Sequence, residues 1–155
     1  MRTGRRLAID VGKVRIGLAI SDFHGILASG LTNVARAKTL DETCAAIETA
    51  IREEDLLEIY VGLPLSMSGN HSASTKDAIE VAKTLASRIS TPVRMIDERL
   101  STVSASSNLR ASGRDAKSGR KVIDQIAATV ILEQALAIEK QTGQLAGMSL
   151  EDLDD

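Results

Sequence analysis

Leu7-Ala8-Ile9-Asp10-Val11-Gly12-Lys13-Val14-Arg15-Ile16-Gly17-Leu18-Ala19-Ile20 decides the fold. Leu7 to Val11 reads as a short buried strand and Arg15 to Ile20 as a second. Gly12-Lys13-Val14 between them is too short for anything but a hairpin turn. A third strand is expected at about 26–33. Beyond it the pattern changes. Thr39 and Glu42 have the spacing of a helix N-cap and its third residue, and Cys44, Ile47 and Ile51 recur at helical period, predicting a helix over 40–54. Leu57, Ile59, Val61 and Leu63 alternate as a strand that Pro64 ends. Ala78, Val81, Ala82, Leu85 and Ile89 mark a helix over 73–89, and Pro92 opens a strand from Val93 to Glu98. A Ser-rich helix is expected at 101–111, a polar basic loop at 112–121 and a long helix from Val122 to Lys140. Three strands followed by βαβ units imply an α/β fold, a mixed five-stranded sheet flanked by helices.

The 155 residues predict one domain, 1–140, with a flexible acidic tail, 141–155, ending in Glu151-Asp152-Leu153-Asp154-Asp155. Hydrophobic residues make up 43% and charged residues 26%, an ordinary globular composition. The apolar runs are too short to span a bilayer, and Asp10 and Lys13 interrupt any signal-like segment. One cysteine, Cys44, excludes an internal disulfide framework and a cysteine-based zinc site, and its helix-face position predicts an inert core residue. These features place the chain in the cytoplasm with no membrane partner. With 19 basic against 21 acidic residues, it is no nucleic-acid-coating protein. With only Phe23 and Tyr60 as aromatics, it has no base-stacking platform.

Three acidic positions at element ends carry the chemistry. Asp10 lies in an apolar strand before a glycine turn, where an unpaired buried carboxylate costs several kcal/mol. Taken alone it could be satisfied by turn amides. Asp97-Glu98 ends the last strand, and alternation lets only one of them share a site with Asp10. The other is left to pair with Arg99 or cap the next helix. Ala127, Ala128, Ile131, Ala135 and Leu136 follow Asp124 at +3, +4, +7, +11 and +12, which puts Asp124 on the sheet-facing stripe of its helix. Glu133, Glu139 and Lys140 fall largely off that stripe. Open α/β sheets place their sites at the carboxyl edge, where these three acids can converge. Such a cluster repels itself unless cations neutralise it, and hard oxygen ligands suit Mg²⁺ or Mn²⁺. Two ions about 3.5–4 Å apart can clamp both oxygens of a phosphodiester displacement.

The segments Asp10-Val11-Gly12-Lys13-Val14-Arg15-Ile16-Gly17-Leu18-Ala19, Gly62-Leu63-Pro64-Leu65-Ser66-Met67-Ser68-Gly69, Asp97-Glu98-Arg99-Leu100-Ser101-Thr102 and Asp124-Gln125-Ile126-Ala127-Ala128 closely resemble the YqgF/RuvX family. Its members are pre-16S rRNA nucleases, also described as Holliday junction resolvase-like. The resemblance covers about residues 5–138. It implies an RNase H-like fold, metal-dependent endonuclease chemistry and a role in ribosome biogenesis, with four-way DNA junctions as the alternative substrate. The family's acidic residues carry over to Asp10, Glu98 and Asp124, as catalytic residues and as ligands of two ions. Asp97 could exchange roles with Glu98.

The loop after Gly62 is then expected to line the substrate groove, with Ser66, Ser68 or Asn70 touching phosphate. Arg110, Arg114, Lys117, Arg120 and Lys121 form a basic segment running into Asp124, suited to holding a polyanion. Arg15 and Arg99 are lesser candidates for phosphate contact. His24 and His71 sit in loops without a partnering pattern. Two other classes compete. A non-catalytic ribosome-associated RNA-binding module would keep the basic segment and behave normally when Asp10 becomes Asn. An ATPase of the sugar-kinase or actin-like kind, suggested by the Asp-x-Gly hairpin, would need a second domain. The expected partner is nucleic acid, bound by a monomer or a homodimer.

Overall fold

The structure, a computed structural model, describes the backbone of residues 1–100 and 116–154 and the side chains of 1–99 and 125–153. β1 (Arg5–Val11), β2 (Arg15–Ser21) and β3 (Ala28–Ala35) form the expected antiparallel meander. α1 (Leu40–Ala50), β4 (Leu56–Leu63), α2 (Ala73–Arg88) and β5 (Val93–Asp97) follow. A 3₁₀ turn over Glu98–Leu100, the long helix α3 (Ala116–Thr142), β6 (Met148–Ser149) and a second 3₁₀ turn over Glu151–Asp154 complete the described chain. The sheet order is β3-β2-β1-β4-β5-β6, with β1, β4 and β5 parallel. Among the described residues no helix is long and apolar enough to cross a membrane.

Strand alternation sorts the core into two layers. Leu7, Ile9, Ile16, Leu18, Ile59, Val61, Leu63 and Met95 pack with Cys44 and Ile47 of α1 and Val81 and Leu85 of α2. On the other face Ala8, Ala19, Tyr60 and Ile96 meet Ala128, Ile131, Leu132 and Ala135 of α3. Ala8 and Ala19 are small, so α3 approaches the middle of the sheet closely. Thr39 caps α1 by accepting from the Glu42 N–H at 3.1 Å. Ser72 and Thr75 form a reciprocal capping box that starts α2.

Two expectations are corrected. The sheet has six strands, not five, because β6 pairs antiparallel with β5 (Met95 with Met148, Arg94 with Ser149). It lies in the segment expected to be a flexible tail. There Ala146 is fully buried, Met148, Leu150 and Leu153 pack on the core, and Arg94 donates to the Ala146 and Gly147 carbonyls at 2.7 and 2.9 Å. Gly147 turns the chain at φ +74°, against the Met95 carbonyl, where a side chain would collide. A two-residue strand is too short to show a period. The second correction is the start of α3: the backbone is already helical at Ala116, so Lys117, Arg120 and Lys121 lie in its first turns rather than in a loop.

Glu139, expected off the buried stripe, is 3% exposed. Its carboxylate accepts from Arg2 Nη2 at 2.6 Å and from the fully buried Arg6 at 2.9 Å, while Arg2 also reaches Glu58 at 2.8 Å and Tyr60 donates to Glu58 at 2.9 Å. Burial would raise the Glu139 carboxyl, but the hydrogen bonds and charges of Arg2 and Arg6 outweigh it and hold it low. The basic N-terminal segment thus anchors the C-terminal half of α3.

Candidate active site

The parity that divides the core also composes the site. Ala8 faces α3, so Asp10, two residues on, belongs to that face at the carboxyl end of β1. Tyr60 faces α3, so Gly62 does too, at the end of β4. Met95 faces the other layer and Ile96 faces α3. Asp97 therefore leaves the α3 face, and Glu98, in the turn after β5, returns to it.

The side chains follow this division. The Glu98 carboxyl hydrogen-bonds that of Asp10. It lies over Gly62 so closely that a Cβ there would stand 2.5 Å from Glu98 Oε1 and 2.6 Å from Ile131 Cδ1 of α3. Burial, and then the neighbouring Asp10 charge, push the Glu98 carboxyl up to about 8. Two acids in contact, one of them buried where its charge is penalised, offer only hard oxygen donors and fit a divalent cation. Asp97 instead binds Arg99, accepting from Nε at 3.0 and 2.9 Å, from Nη2 at 2.5 Å and from the Arg99 N–H at 3.0 Å. The Arg99 hydrogen bonds hold its carboxyl below the usual range.

The other expected residues divide between described and undescribed. Position 124 is in α3, one turn before the fully buried Ala128 and two turns before Ile131; its side chain lies outside the described residues. Among the described side chains, no three His, Cys, Asp or Glu gather as a metal set. Arg110 and Arg114 lie outside the described residues, as do the side chains of Lys117, Arg120 and Lys121. Ser66 and Asn70 are exposed and close a turn on themselves. Ser66 Oγ accepts from the Asn70 N–H at 2.9 Å and lies 3.0 Å from Ser68 Oγ, to which Asn70 Nδ2 donates at 3.1 Å. Arg99 Nη1 reaches the Met67 carbonyl of this turn at 3.5 Å. Arg15, half-buried, opens β2 and pairs with Ala35. His71 bridges to Leu65, and His24 lies on the β2–β3 connection next to Phe23.

Arg36 and Asp77 carry no motif or period that marks them in the sequence. Arg36 forks onto Asp77 of α2 at 2.6 and 3.0 Å and donates to the Gly12 carbonyl at 3.2 Å. They stand 41 residues apart in the chain, and no local pattern announces the pair.

Comparison with known proteins places this geometry in context. The model of the RuvX family, described as Holliday junction resolvase, matches residues 4–138. A Leifsonia xyli protein is 50% identical over 151 residues, 97% of each chain, and a Clavibacter michiganensis protein is 49% identical over 147 residues, 95% of this chain and 91% of that one. A Streptomyces avermitilis protein is 42% identical over 152 residues, 97% of each chain. All three carry the name "Putative pre-16S rRNA nuclease". The solved structure of T. thermophilus RuvC in complex with Holliday junction substrate superposes with a TM-score of 0.55 at 14% identity, over 92% of this chain and 98% of that one. That likeness establishes a shared RNase H-like fold.

Proposed function

Since the chain belongs to the RuvX family, we propose that it is a divalent-metal-dependent endonuclease that hydrolyses phosphodiester bonds in structured nucleic acid, acting at the 5′ end of pre-16S rRNA. The observation that carries this reading is the Asp10–Glu98 contact at the carboxyl edge of the sheet, seated over Gly62. Relatives near 50% identity named for pre-16S rRNA favour that substrate. The family's description favours a four-way DNA junction as the second.

Asp10, Glu98 and Asp124 would hold Mg²⁺ or Mn²⁺. Bound there, the ions would supply Lewis-acid stabilisation of the charge that develops on the phosphate oxygens. The protein's own part is to keep the acids together against their repulsion. α3 excludes water from one side through Ile131, and Gly62 leaves the volume that Glu98 fills. Arg110, Arg114, Lys117, Arg120 and Lys121 would grip the polyanion, with Arg15, Ser66, Asn70 and Arg99 at the rim of the groove.

The test is cleavage of a labelled pre-16S rRNA fragment and of a four-way DNA junction with Mn²⁺, beside Asp10→Asn, Glu98→Gln and Asp124→Asn. Loss of cleavage in all three variants supports the reading. Equal cutting by wild type and variants overturns it, and RNA binding without cleavage by the wild type would favour the non-catalytic ribosome-associated module. Preference for the junction would move the role to DNA recombination.

A further inference from the structure

The turn that follows Asp10 has little packing of its own. Val14 is 69% exposed and Lys13 is exposed, so no apolar contact of these side chains pins it. The hairpin itself closes it with one bond, Gly12 N–H to the Arg15 carbonyl at 3.0 Å. A second closure comes from outside. Arg36, the first residue after β3, donates its backbone N–H to the Val14 carbonyl at 3.0 Å and its Nη1 to the Gly12 carbonyl at 3.2 Å. The same guanidinium forks onto Asp77, with Nη1 to Oδ2 at 2.6 Å and Nη2 to Oδ1 at 3.0 Å. Arg36 is 20% and Asp77 32% exposed in their side chains, so the pair is half shielded from water and its fork has the planar, two-bond geometry in which arginine is not replaceable by lysine.

Asp77 stands in the second turn of α2, and the first turn of the same helix holds the other strand end. The fully buried Thr75 donates its hydroxyl to the Pro64 carbonyl, two residues past Gly62. One short piece of α2 therefore grips both sides of the carboxylate pair. Thr75 holds the exit of β4, whose Gly62 seats Glu98. Asp77, through Arg36, holds the turn two residues past Asp10. Thr75 and Asp77 stand two residues apart in one capped helix, so the two strand exits are tied to the same rigid element.

We propose that Arg36 and Asp77 are positioning residues that set where Asp10 stands relative to Glu98, and that losing either loosens the acid pair without dismantling the fold. The role assigned to the acids rests on the nuclease reading; the mechanical claim about the turn does not.

The experiment compares full-length wild type with Arg36→Gln, Arg36→Lys, Asp77→Asn and Arg88→Gln. Arg88→Gln removes a comparable ion pair with Glu48 at the far end of α2 and serves as the control for simple loss of a surface pair. Hydrogen exchange of the Gly12 and Arg36 amides reads the turn directly, since both bonds close it. Mn²⁺ titration reads the acid pair without substrate. All three variants of the Arg36–Asp77 pair are expected to exchange these amides about tenfold faster. They are expected to bind Mn²⁺ roughly tenfold more weakly, as expected for loss of an outer-shell support. Arg88→Gln is expected to match wild type in both, with a similar Tm to the others. Unchanged exchange in Arg36→Gln and Asp77→Asn overturns the mechanical claim. Faster exchange with unchanged Mn²⁺ affinity overturns the positioning of Asp10. If wild type itself neither binds Mn²⁺ nor cleaves, the nuclease reading falls, while the exchange rates still decide whether Arg36 holds the turn.

Discussion

Glu98 occupies the space that a side chain at Gly62 would need: its Oε1 lies 2.5 Å from the position of a Cβ there, and Ile131 Cδ1 lies 2.6 Å from it on the helix side. The glycine at the end of β4 is thus a vacancy shaped for a carboxyl group. Gly62→Ala must displace either Glu98 or α3. The expected cost is about 1–3 kcal/mol of stability from overpacking, with at least a tenfold loss of cleavage. Denaturant unfolding and the cleavage assay measure the two together, and a variant matching wild type in both would remove Gly62 from the site.

Stability should fall as pH rises through the neutral range in metal-free protein. The Glu98 carboxyl is pushed up to about 8 from an ordinary value of 4.5, first by burial and then by the Asp10 charge. Between those values the folded protein holds a proton that the unfolded chain has released. The contribution is therefore complete below about pH 4.5 and is lost as pH climbs through 8. The expected loss across that range is roughly 1–3 kcal/mol, allowing for the partial solvent access of the group. Tm measured in chelator at steps from pH 5 to 9 checks the slope, which Glu98→Gln should flatten.

Divalent cations should reverse that trend. A ligand that binds only the folded state adds about 2.7 kcal/mol at a hundredfold excess over Kd. Mn²⁺ is expected to raise Tm of the wild type most at alkaline pH, where Glu98 is ionised, and to leave Asp10→Asn unmoved. Identical Mn²⁺ shifts in wild type and Asp10→Asn would place the binding elsewhere.

Asp97 and Glu98 should separate cleanly under mutation. Asp97 holds Arg99 on the exposed side of the strand end, so Asp97→Asn is expected to cost no more than about 1 kcal/mol and to keep most cleavage. Glu98→Gln is expected to abolish cleavage while folding normally. Loss of cleavage in Asp97→Asn with retention in Glu98→Gln would reverse the assignment.

The far end of α3 offers a purely structural test. Glu139→Ala leaves the fully buried Arg6 without its carboxylate partner. Removing one member of a buried pair costs about 3–5 kcal/mol. Thermal unfolding should show a large drop in Tm, and a change comparable to that of an exposed pair such as Arg5–Glu54 would contradict the network's importance.

Much of this was written into local pattern. Strand and helix periods, the Gly12 turn and Pro64 gave the β-β-β-α-β-α-β order and its two-faced sheet, because burial of one face leaves its mark on every second or every third and fourth residue. Alternation also limits the strand-end acids to Asp10 and one of Asp97 and Glu98, and the helical stripe adds Asp124 as a candidate. What no local pattern could state is which of the adjacent pair turns inward. That depends on how β5 sits in register with β4, with Ile96 beside Gly62 and Asp97 beside Leu63, and on the 3₁₀ turn that returns Glu98 to the α3 face. The sixth strand, the burial of Glu139 by Arg2 and Arg6, and the Arg36–Asp77 clamp belong to the same class. Each is made between segments distant in the chain, where side-chain type is unremarkable and only the packed fold supplies the partner.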